Sequence, residues 1–133
     1  MHWQVLELSS TERVEIIDVT ERLPRVCREA GVRDGFAVVI CEHTTAAVCV
    51  NEAEPSLLAD LQAALERLVP REAGYAHNRI DDNADAHLRA TLVGHSVTVA
   101  VQGGAPVLGT WQRVLFVELD GPRRRRLRVG VEG

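Results

Sequence analysis

Residues 35–50, with the sequence GFAVVICEHTTAAVCV, decide how the middle of this chain folds. The run from Gly35 to Cys41 is rich in β-branched side chains, which are favoured in strands. A second run of the same kind ends at Val50, and His43 lies between the two. This pattern predicts one buried strand, a bend near His43, and a second strand that follows directly.

Strand patterns also occupy both ends of the chain. They are found at residues 3–8, 13–18, 95–101, 113–119 and 124–131. The first two are expected to pair as a hairpin or edge pair through Ser9-Ser10-Thr11. In the last strand, apolar and arginine side chains alternate, so that Leu127 and Arg128 are expected on opposite faces.

Three helices are predicted from apolar residues at helical spacing. They run from Thr20 to a stop at Gly31, from Pro55 to about Val69, and over residues 84–93. The second helix has leucines along one side and is expected to pack on a sheet. In the third helix, Asn83 is expected to cap the N-terminus and Gly94 to end the helix. Leu88 and Leu92 are expected to point inward.

The composition indicates one domain over residues 1–133. With 46% hydrophobic and 26% charged residues, the chain is typical of a folded domain with a single core. No repeat or linker divides it. About seven strands and three helices, with strand pairs at both ends, favour an α+β fold with largely antiparallel sheets over a doubly wound fold.

All 15 cationic side chains are arginines, and the sequence contains no lysine. Schiff-base catalysis by a lysine amine and a P-loop that binds phosphates through its lysine are therefore excluded. Phosphate, if bound, must be held by arginines, backbone amides or a metal. A net charge of −4 and only 4% aromatic residues argue against nucleic acid as a partner.

The sequence predicts a cytoplasmic protein. No apolar run approaches the roughly 18 residues that a membrane span requires, and the N-terminus lacks a signal-peptide pattern. The three cysteines, Cys27, Cys41 and Cys49, have no CxxC spacing, so they are expected to be buried free thiols.

Histidines are the first candidates for chemistry, because imidazole binds metals and transfers protons near neutral pH. His43, His77 and His87 lie at no recognised metal-binding spacing. A three-histidine metal site and a set of unrelated surface or core histidines therefore both remain open.

Two charged clusters have a structural and a functional interpretation each. Residues 81–85 match the DDxxD pattern that can hold Mg²⁺ on a diphosphate. Acidic residues at a helix N-terminus explain the same cluster without function, and we favour this explanation. The arginine run 123–126 suggests phosphate or nucleic-acid binding. Alternation divides it between two strand faces, which favours a solvated or intersubunit strand.

Four groups of residues, taken together, resemble the motifs of one family. They are His43-Thr44-Thr45-Ala46-Ala47 with Asn51-Glu52, Tyr75-x-His77, Asp82-Asn83-x-x-Ala86-His87-Leu88 with Leu92-x-Gly94-x-Ser96, and Gly109-Thr110-Trp111-Gln112 with Glu118-x-Asp120-Gly121-Pro122-Arg123. In this order, and over nearly the whole chain, they are similar to the YjbQ-like family, also called secondary thiamine-phosphate synthases.

The resemblance implies an α+β fold with a two-sheet β-sandwich, assembled as a homotrimer. It also implies a metal site, with zinc the expected ion, on His43, His77 and His87. Asp82 and Glu118 are expected to orient the imidazoles or to move protons. The residues expected to shape the pocket around an anionic substrate are Thr44, Thr45, Asn51, Trp111, Gln112 and Arg123.

The activity implied by the resemblance is thiamine-phosphate formation, as a secondary activity, from an aminopyrimidine diphosphate and a thiazole phosphate. The expected partner is a small phosphorylated substrate, with neither nucleic acid nor membrane involved. Two alternatives stay open: a metal-stabilised trimeric binding module without turnover, and a metal-dependent hydrolase of phosphate or acyl esters.

Overall fold

Two antiparallel sheets packed face to face form the frame of the protein, in a computed structural model that describes residues 1–133. The strands are β1 (His2–Ser9), β2 (Glu15–Asp18), β3 (Gly35–Cys41), β4 (Ala46–Asn51), β5 (Ser96–Gln102), β6 (Ala105–Val107), β7 (Arg113–Glu118) and β8 (Arg124–Glu132). Their order is β1-β8-β3-β5-β6 in the larger sheet and β2-β7-β4 in the smaller one. The predicted α+β sandwich is confirmed, and the short β6 is a strand that the sequence pattern did not reveal.

Three helices accompany the sheets. They are α1 (Leu23–Ala30), α2 (Pro55–Leu68) and α3 (Ala84–Val93), and 3-10 turns lie at Thr20–Arg22 and Ala76–Arg79. Helix α1 ends as predicted at Gly31, whose φ of 69° is a left-handed conformation that glycine adopts without a steric penalty. None of the helices is both long enough and apolar enough to cross a membrane.

Strands β1 and β2 belong to different sheets, so the predicted hairpin between them is wrong. β1 pairs with β8, with Glu7 opposite Arg126, and β2 pairs with β7. The cause is the buried Ser10, whose amide donates to the Arg123 carbonyl at 2.9 Å and whose hydroxyl donates to Glu118 at 2.7 Å. These bonds hold the chain at the point where it crosses from one sheet to the other.

The core has two parts. The larger one fills the space between the two sheets and includes Val39, Phe116 and Val129. The smaller one lies between the three-stranded sheet and α3 and consists of Ala47, Ala86, Ala90, Val117 and Leu119. The layers are therefore the five-stranded sheet, the three-stranded sheet and α3.

Helix α3 presents its alanines to the sheet rather than its leucines. Ala86 and Ala90 are buried in the smaller core, whereas Leu88 is 44% and Leu92 63% exposed. The predicted inward orientation of the two leucines is therefore wrong. The small alanine side chains let the helix approach the sheet closely, and the leucines lie on the other side of the helix.

Helix α2 has no buried residue, and its packing is less extensive than its leucine-rich side predicts. Only Leu65 packs against the smaller core.

The three cysteines are all free thiols. The prediction that they are buried is confirmed for Cys27 and Cys41, whereas Cys49 is only half-buried.

The outer face of the five-stranded sheet is uncovered. The strand register places Phe36 opposite Ala100, and Ala100 opposite Val107, on this face. Trp3, Phe36 and Val107 are 43–46% exposed there. One side of the sandwich therefore presents apolar side chains to solvent, which is typical of an interaction surface.

Candidate functional site

Glu118, the last residue of β7, is fully buried, and the chain uses both of its carboxylate oxygens. Arg125 donates from Nε to Oε1 at 2.8 Å and from Nη2 to Oε2 at 2.6 Å, and Ser10 Oγ donates to Oε1 at 2.7 Å. The amides of Leu119 and Asp120 donate to Oε2 at 3.0 and 3.1 Å. Burial alone would raise the pKa of Glu118, but the hydrogen bonds and the charge of Arg125 hold it below its ordinary value. Glu118 is thus an ionised anchor for the loop that follows it.

Arg125 extends this buried network to the start of β4. Its Nη2 donates to Thr45 Oγ1 at 2.9 Å, and the amide of Leu119 donates to the Thr45 carbonyl at 3.2 Å. The hydroxyl of Thr45 is therefore used within the protein, and only Thr44 is exposed. The expectation that the arginine run after Arg123 lies on the strand surface is wrong for Arg125, because the carboxylate of Glu118 compensates its buried charge.

The imidazoles of His77 and His87 are in contact. Their ring centroids lie 4.9 Å apart, with the ring planes inclined at 75°. His77 Nε2 is 3.0 Å from Asn83 Oδ1, and Asn83 Nδ2 donates to Asp120 Oδ2 at 2.9 Å. Because an amide oxygen can only accept, Nε2 of His77 carries the proton, and the neutral ring keeps its lone pair on Nδ1. Hydrogen bonds through Asn83 and Asp120 therefore connect the His77–His87 pair to the loop that follows Glu118.

Asn83 and Asp120 connect this site through their hydrogen bonds, although neither was predicted as a site residue. Asn83 was expected to cap α3, but its side chain makes no capping bond. Asn78 takes that role, since its Oδ1 accepts from the amide of Ala84 at 3.1 Å. Asp120 was quoted only as part of a motif, without a role, and its carboxylate also accepts from Arg123 Nη2 at 3.0 Å. Both residues stand in the quoted motifs, which is the signal that would have identified them.

His43 makes its contacts apart from the His77–His87 pair. Its Nε2 accepts from the backbone amide of Arg126 at 3.0 Å, so its proton resides on Nδ1. Burial and the nearby charge of Arg125 lower the pKa of His43, which favours the neutral ring. The chain contains no group of three or more His, Cys, Asp or Glu side chains arranged to hold a metal ion. Two of the three predicted ligands are thus brought together, and His43 is not grouped with them.

The acidic cluster divides into exposed and buried members. The Asp82 side chain is 82% exposed, and its Oδ2 lies 4.0 Å from Arg71 Nη2. Asp85 is completely buried and accepts two hydrogen bonds from Arg13, at 3.0 and 3.1 Å, with Arg89 3.3 Å away. Because arginines occupy the carboxylate of Asp85, it cannot join its neighbours around a Mg²⁺ ion. Asp85 therefore has a structural role, as the favoured interpretation of the DDxxD match expected, but as a partner of arginines rather than as a cap of the helix amides.

Asn51, Trp111 and Gln112 lie far from the histidines. Asn51 is opposite Arg113 at one end of the β4–β7 pair, whereas Ala46 is opposite Glu118 at the other end. A strand rises about 3.3 Å per residue, so the two ends are roughly 17 Å apart.

The side chains at this far end bond locally or not at all. Asn51 Oδ1 accepts from the amide of Glu52, and Gln112 Oε1 accepts from the amide of Gly109, both at 2.8 Å. Trp111 is 71% exposed. Within one subunit, the predicted pocket residues therefore form two groups rather than one pocket.

Comparisons with known proteins match the chain over its whole length. Residues 4–133 fit the family model described as UPF0047 protein YjbQ-like. The chain is 49% identical over 133 residues to the UPF0047 protein of Methanothermobacter thermautotrophicus, covering 100% of this chain and 93% of the relative. It is 53% identical over 122 residues to the UPF0047 protein of Archaeoglobus fulgidus, covering 92% and 94% of the two chains.

Solved structures share the fold. A hypothetical protein from Aeropyrum pernix K1 superposes with a TM-score of 0.96 at 41% identity, covering 100% of this chain and 99% of that one. A YbjQ-like protein of unknown function from Sulfolobus solfataricus P2 gives a TM-score of 0.94 at 34% identity, with coverages of 97% and 94%.

Proposed function

Because the chain belongs to the UPF0047 family of YjbQ-like proteins, we propose that it is an enzyme acting on a small phosphorylated substrate. The finer form of the proposal is a transferase that joins an aminopyrimidine diphosphate to a thiazole phosphate as a secondary activity. The observation that carries it is the hydrogen-bonded series His77, Asn83, Asp120 and Arg123, which sets a pair of imidazoles near a guanidinium group.

The chain's own residues supply recognition and proton transfer in this proposal. The half-exposed Arg123 bonds to the carbonyl and carboxylate of Asp120 through Nε and Nη2, which leaves Nη1 free to hold a phosphoryl oxygen. A neutral imidazole carries one N–H donor and one nitrogen lone pair, so His77 and His87 can accept or return a proton. The exposed carboxylate of Asp82, the residue before Asn83 in the chain, is proposed as a second proton acceptor. Glu118 contributes by positioning the loop that carries Asp120 and Arg123.

The zinc ion implied by the resemblance would be held by His77 and His87. Two neighbouring imidazoles, one of them oriented by Asn83, match the donor chemistry that zinc prefers. His43 does not fit as it stands, because its Nε2 lone pair is used by the Arg126 amide. When bound at such a site, zinc polarises a phosphoryl oxygen or lowers the pKa of a bound water to about 7.

We also infer that the protein is a homotrimer and that it works in the cytoplasm. The uncovered apolar face of the five-stranded sheet supports assembly, because association of subunits would remove it from water. Three free cysteines support a reducing compartment.

Metal analysis of purified protein tests the site. We expect the single variants His77→Ala and His87→Ala to remain folded and trimeric and to lose the stoichiometric metal, whereas His43→Ala, whose Nε2 already bonds to the Arg126 amide in the wild type, should keep it. His95→Ala, outside the quoted motifs, is the matched control and should keep it. Full metal occupancy in His77→Ala and His87→Ala would contradict the metal proposal, and loss of the metal in His43→Ala would support the three-histidine site instead.

Substrate assays separate the proposed reaction from its alternatives. Coupling of the two phosphorylated precursors, above a blank with metal alone and reduced in His77→Ala, supports the transferase. Release of free phosphate without coupling favours the hydrolase. A lower thermal stability after metal removal, with no turnover of any phosphorylated compound, favours the binding module.

A further inference from the structure

A cavity of about 690 Å³ lies along the start of β8, beside the end of β1 and His43. Arg124 and Arg126 enter it from β8, Glu7 and Ser9 from β1, and His43 from the bend after β3. The buried Arg125 also lines this cavity, but the proposed reaction at His77, His87 and Arg123 does not use it. Its basic residues belong to the arginine run 123–126, and the proposed reaction uses only Arg123 of that run.

Only some of the guanidinium groups in this region form ion pairs within the chain. Arg125 is paired with Glu118, and Arg128 with Glu42. Arg124 and Arg126 are exposed, and neither guanidinium makes an ion pair or hydrogen bond within the chain. Two unneutralised positive charges therefore face the cavity, against the single carboxylate of Glu7.

The strand geometry sets the spacing of these two charges. Arg124 and Arg126 are two residues apart on one face of β8, which places their Cα atoms about 7 Å apart. Ser9 is directly opposite Arg124, and Glu7 is opposite Arg126. A group with several anionic oxygens can lie between two guanidinium forks at this spacing, with the Ser9 hydroxyl as a further donor.

His43 adds a neutral donor to the same wall. β3 ends at Cys41, which is opposite Leu127, so the amide of Arg126 has no partner in that strand. His43 Nε2 accepts from this amide at 3.0 Å, and its proton is therefore on Nδ1, where it can be donated to a ligand.

We propose that this cavity binds the diphosphate or phosphate group of a small molecule through Arg124, Arg126, Ser9 and His43. A nucleic-acid surface is less favoured by the same observations, because only two arginines are free and the chain carries a net charge of −4. The inference does not rest on the proposed function, since it concerns binding alone.

Calorimetric titration with inorganic pyrophosphate, with inorganic phosphate in parallel, tests the inference. Wild-type protein should bind one pyrophosphate per subunit, and Arg124→Gln/Arg126→Gln should weaken binding by about tenfold or more, because two charge-assisted hydrogen bonds are lost. Arg28→Gln/Arg67→Gln removes the same charge from two exposed arginines elsewhere and should bind like wild type. Ser9→Ala, which keeps the charge, should weaken binding to a smaller degree.

Several results would overturn the inference. Equal pyrophosphate affinity in both double variants would assign binding to net charge or to another site. Tighter binding of a single-stranded oligonucleotide than of pyrophosphate, lost in Arg124→Gln/Arg126→Gln, would identify a nucleic-acid surface instead. A variant that changes oligomeric state in size-exclusion chromatography but keeps its pyrophosphate affinity would place the arginines in a subunit interface. Pyrophosphate binding without any turnover would contradict the proposed enzyme and support the cavity.

Discussion

Arg125 and Glu118 form a bidentate ion pair inside the sandwich, with donor–acceptor distances of 2.8 and 2.6 Å. Neither side chain is more than 5% exposed. The pair joins the end of β7 to the start of β8 and so closes the loop that carries Asp120 and Arg123. The positions of Asp120 and Arg123 in the candidate site thus depend on a buried ion pair that a substrate cannot reach.

Glu118→Ala should destabilise the protein by about 3–5 kcal/mol, because it leaves the buried charge of Arg125 uncompensated. Urea denaturation measures this loss. Glu118→Leu/Arg125→Leu should recover most of it, since both charges are then removed. Glu29→Ala, in the exposed pair with Arg25, is the control and should have a far smaller effect. Equal losses of unfolding free energy in Glu118→Ala and Glu29→Ala would show that the buried pair contributes no more to stability than the exposed pair.

Acid should weaken the fold through the same carboxylate. The pKa of Glu118 is lower in the folded protein than its ordinary value of about 4.3, so the unfolded chain takes up the proton more readily. This stabilisation is complete above the unfolded pKa and is lost as the pH falls through the folded pKa. The free energy of unfolding should therefore decrease as the pH falls below about 5, and less steeply in Glu118→Gln. Denaturation curves at a series of pH values provide the comparison, and parallel curves for the two proteins would exclude Glu118 as the source.

Asn78 and Asn83 should behave differently although both precede α3. Asn78→Ala removes the helix cap and should cost about 1 kcal/mol. Asn83→Ala removes the shared partner of His77 and Asp120 and should cost about 1–3 kcal/mol, because Asn83 is buried and its two side-chain bonds are partly buried. In NMR spectra, the protected Nε2 proton of His77 should disappear in Asn83→Ala and persist in Asn78→Ala. Its persistence in both variants would contradict the assigned hydrogen bond.

Phe36→Glu should dissociate the proposed trimer. The substitution places a charge in the centre of the uncovered sheet face, opposite Ala100, where burial in an interface would be costly. Light scattering coupled to size-exclusion chromatography should show monomers for this variant. Ile80→Glu, at a side chain that is 87% exposed away from the sheets, should remain trimeric. A trimer that tolerates Phe36→Glu would place the interface on another face.

Local sequence patterns predicted the elements well and their partners poorly. The β-branched run at 35–41 and the stops at Gly31 and Gly94 depend on residues close in the chain, and each was correct. The hairpin of β1 and β2 was wrong because Ser10 bonds to Glu118, more than one hundred residues away. In α3, apolar spacing indicated an apolar side but could not tell whether leucines or alanines meet the sheet.

The contacts within the candidate site were likewise not predictable from local sequence patterns. The predicted helix and loop positions gave no reason to expect His77 beside His87, and only the family resemblance indicated that the two belong to one site. Arg125 could not be distinguished within a run of four arginines, because its burial depends on a carboxylate on a strand of the other sheet. The three-histidine group with His43 and the roles of Asp82 and Glu118 stay predictions that the experiments above address.

The position of β8 has a consequence for how the chain folds. This strand, residues 124–132, pairs with β1 on one side and β3 on the other, so β1 cannot join the larger sheet until β8 is present. During synthesis, the backbone groups of β1 that bond to β8 therefore stay unpaired until almost the whole chain has been made. Contacts between such distant segments slow folding, because a long loop must close before they form. A nascent chain without β8 should accordingly depend on chaperones, and its exposed strand edges should be the point at which it aggregates.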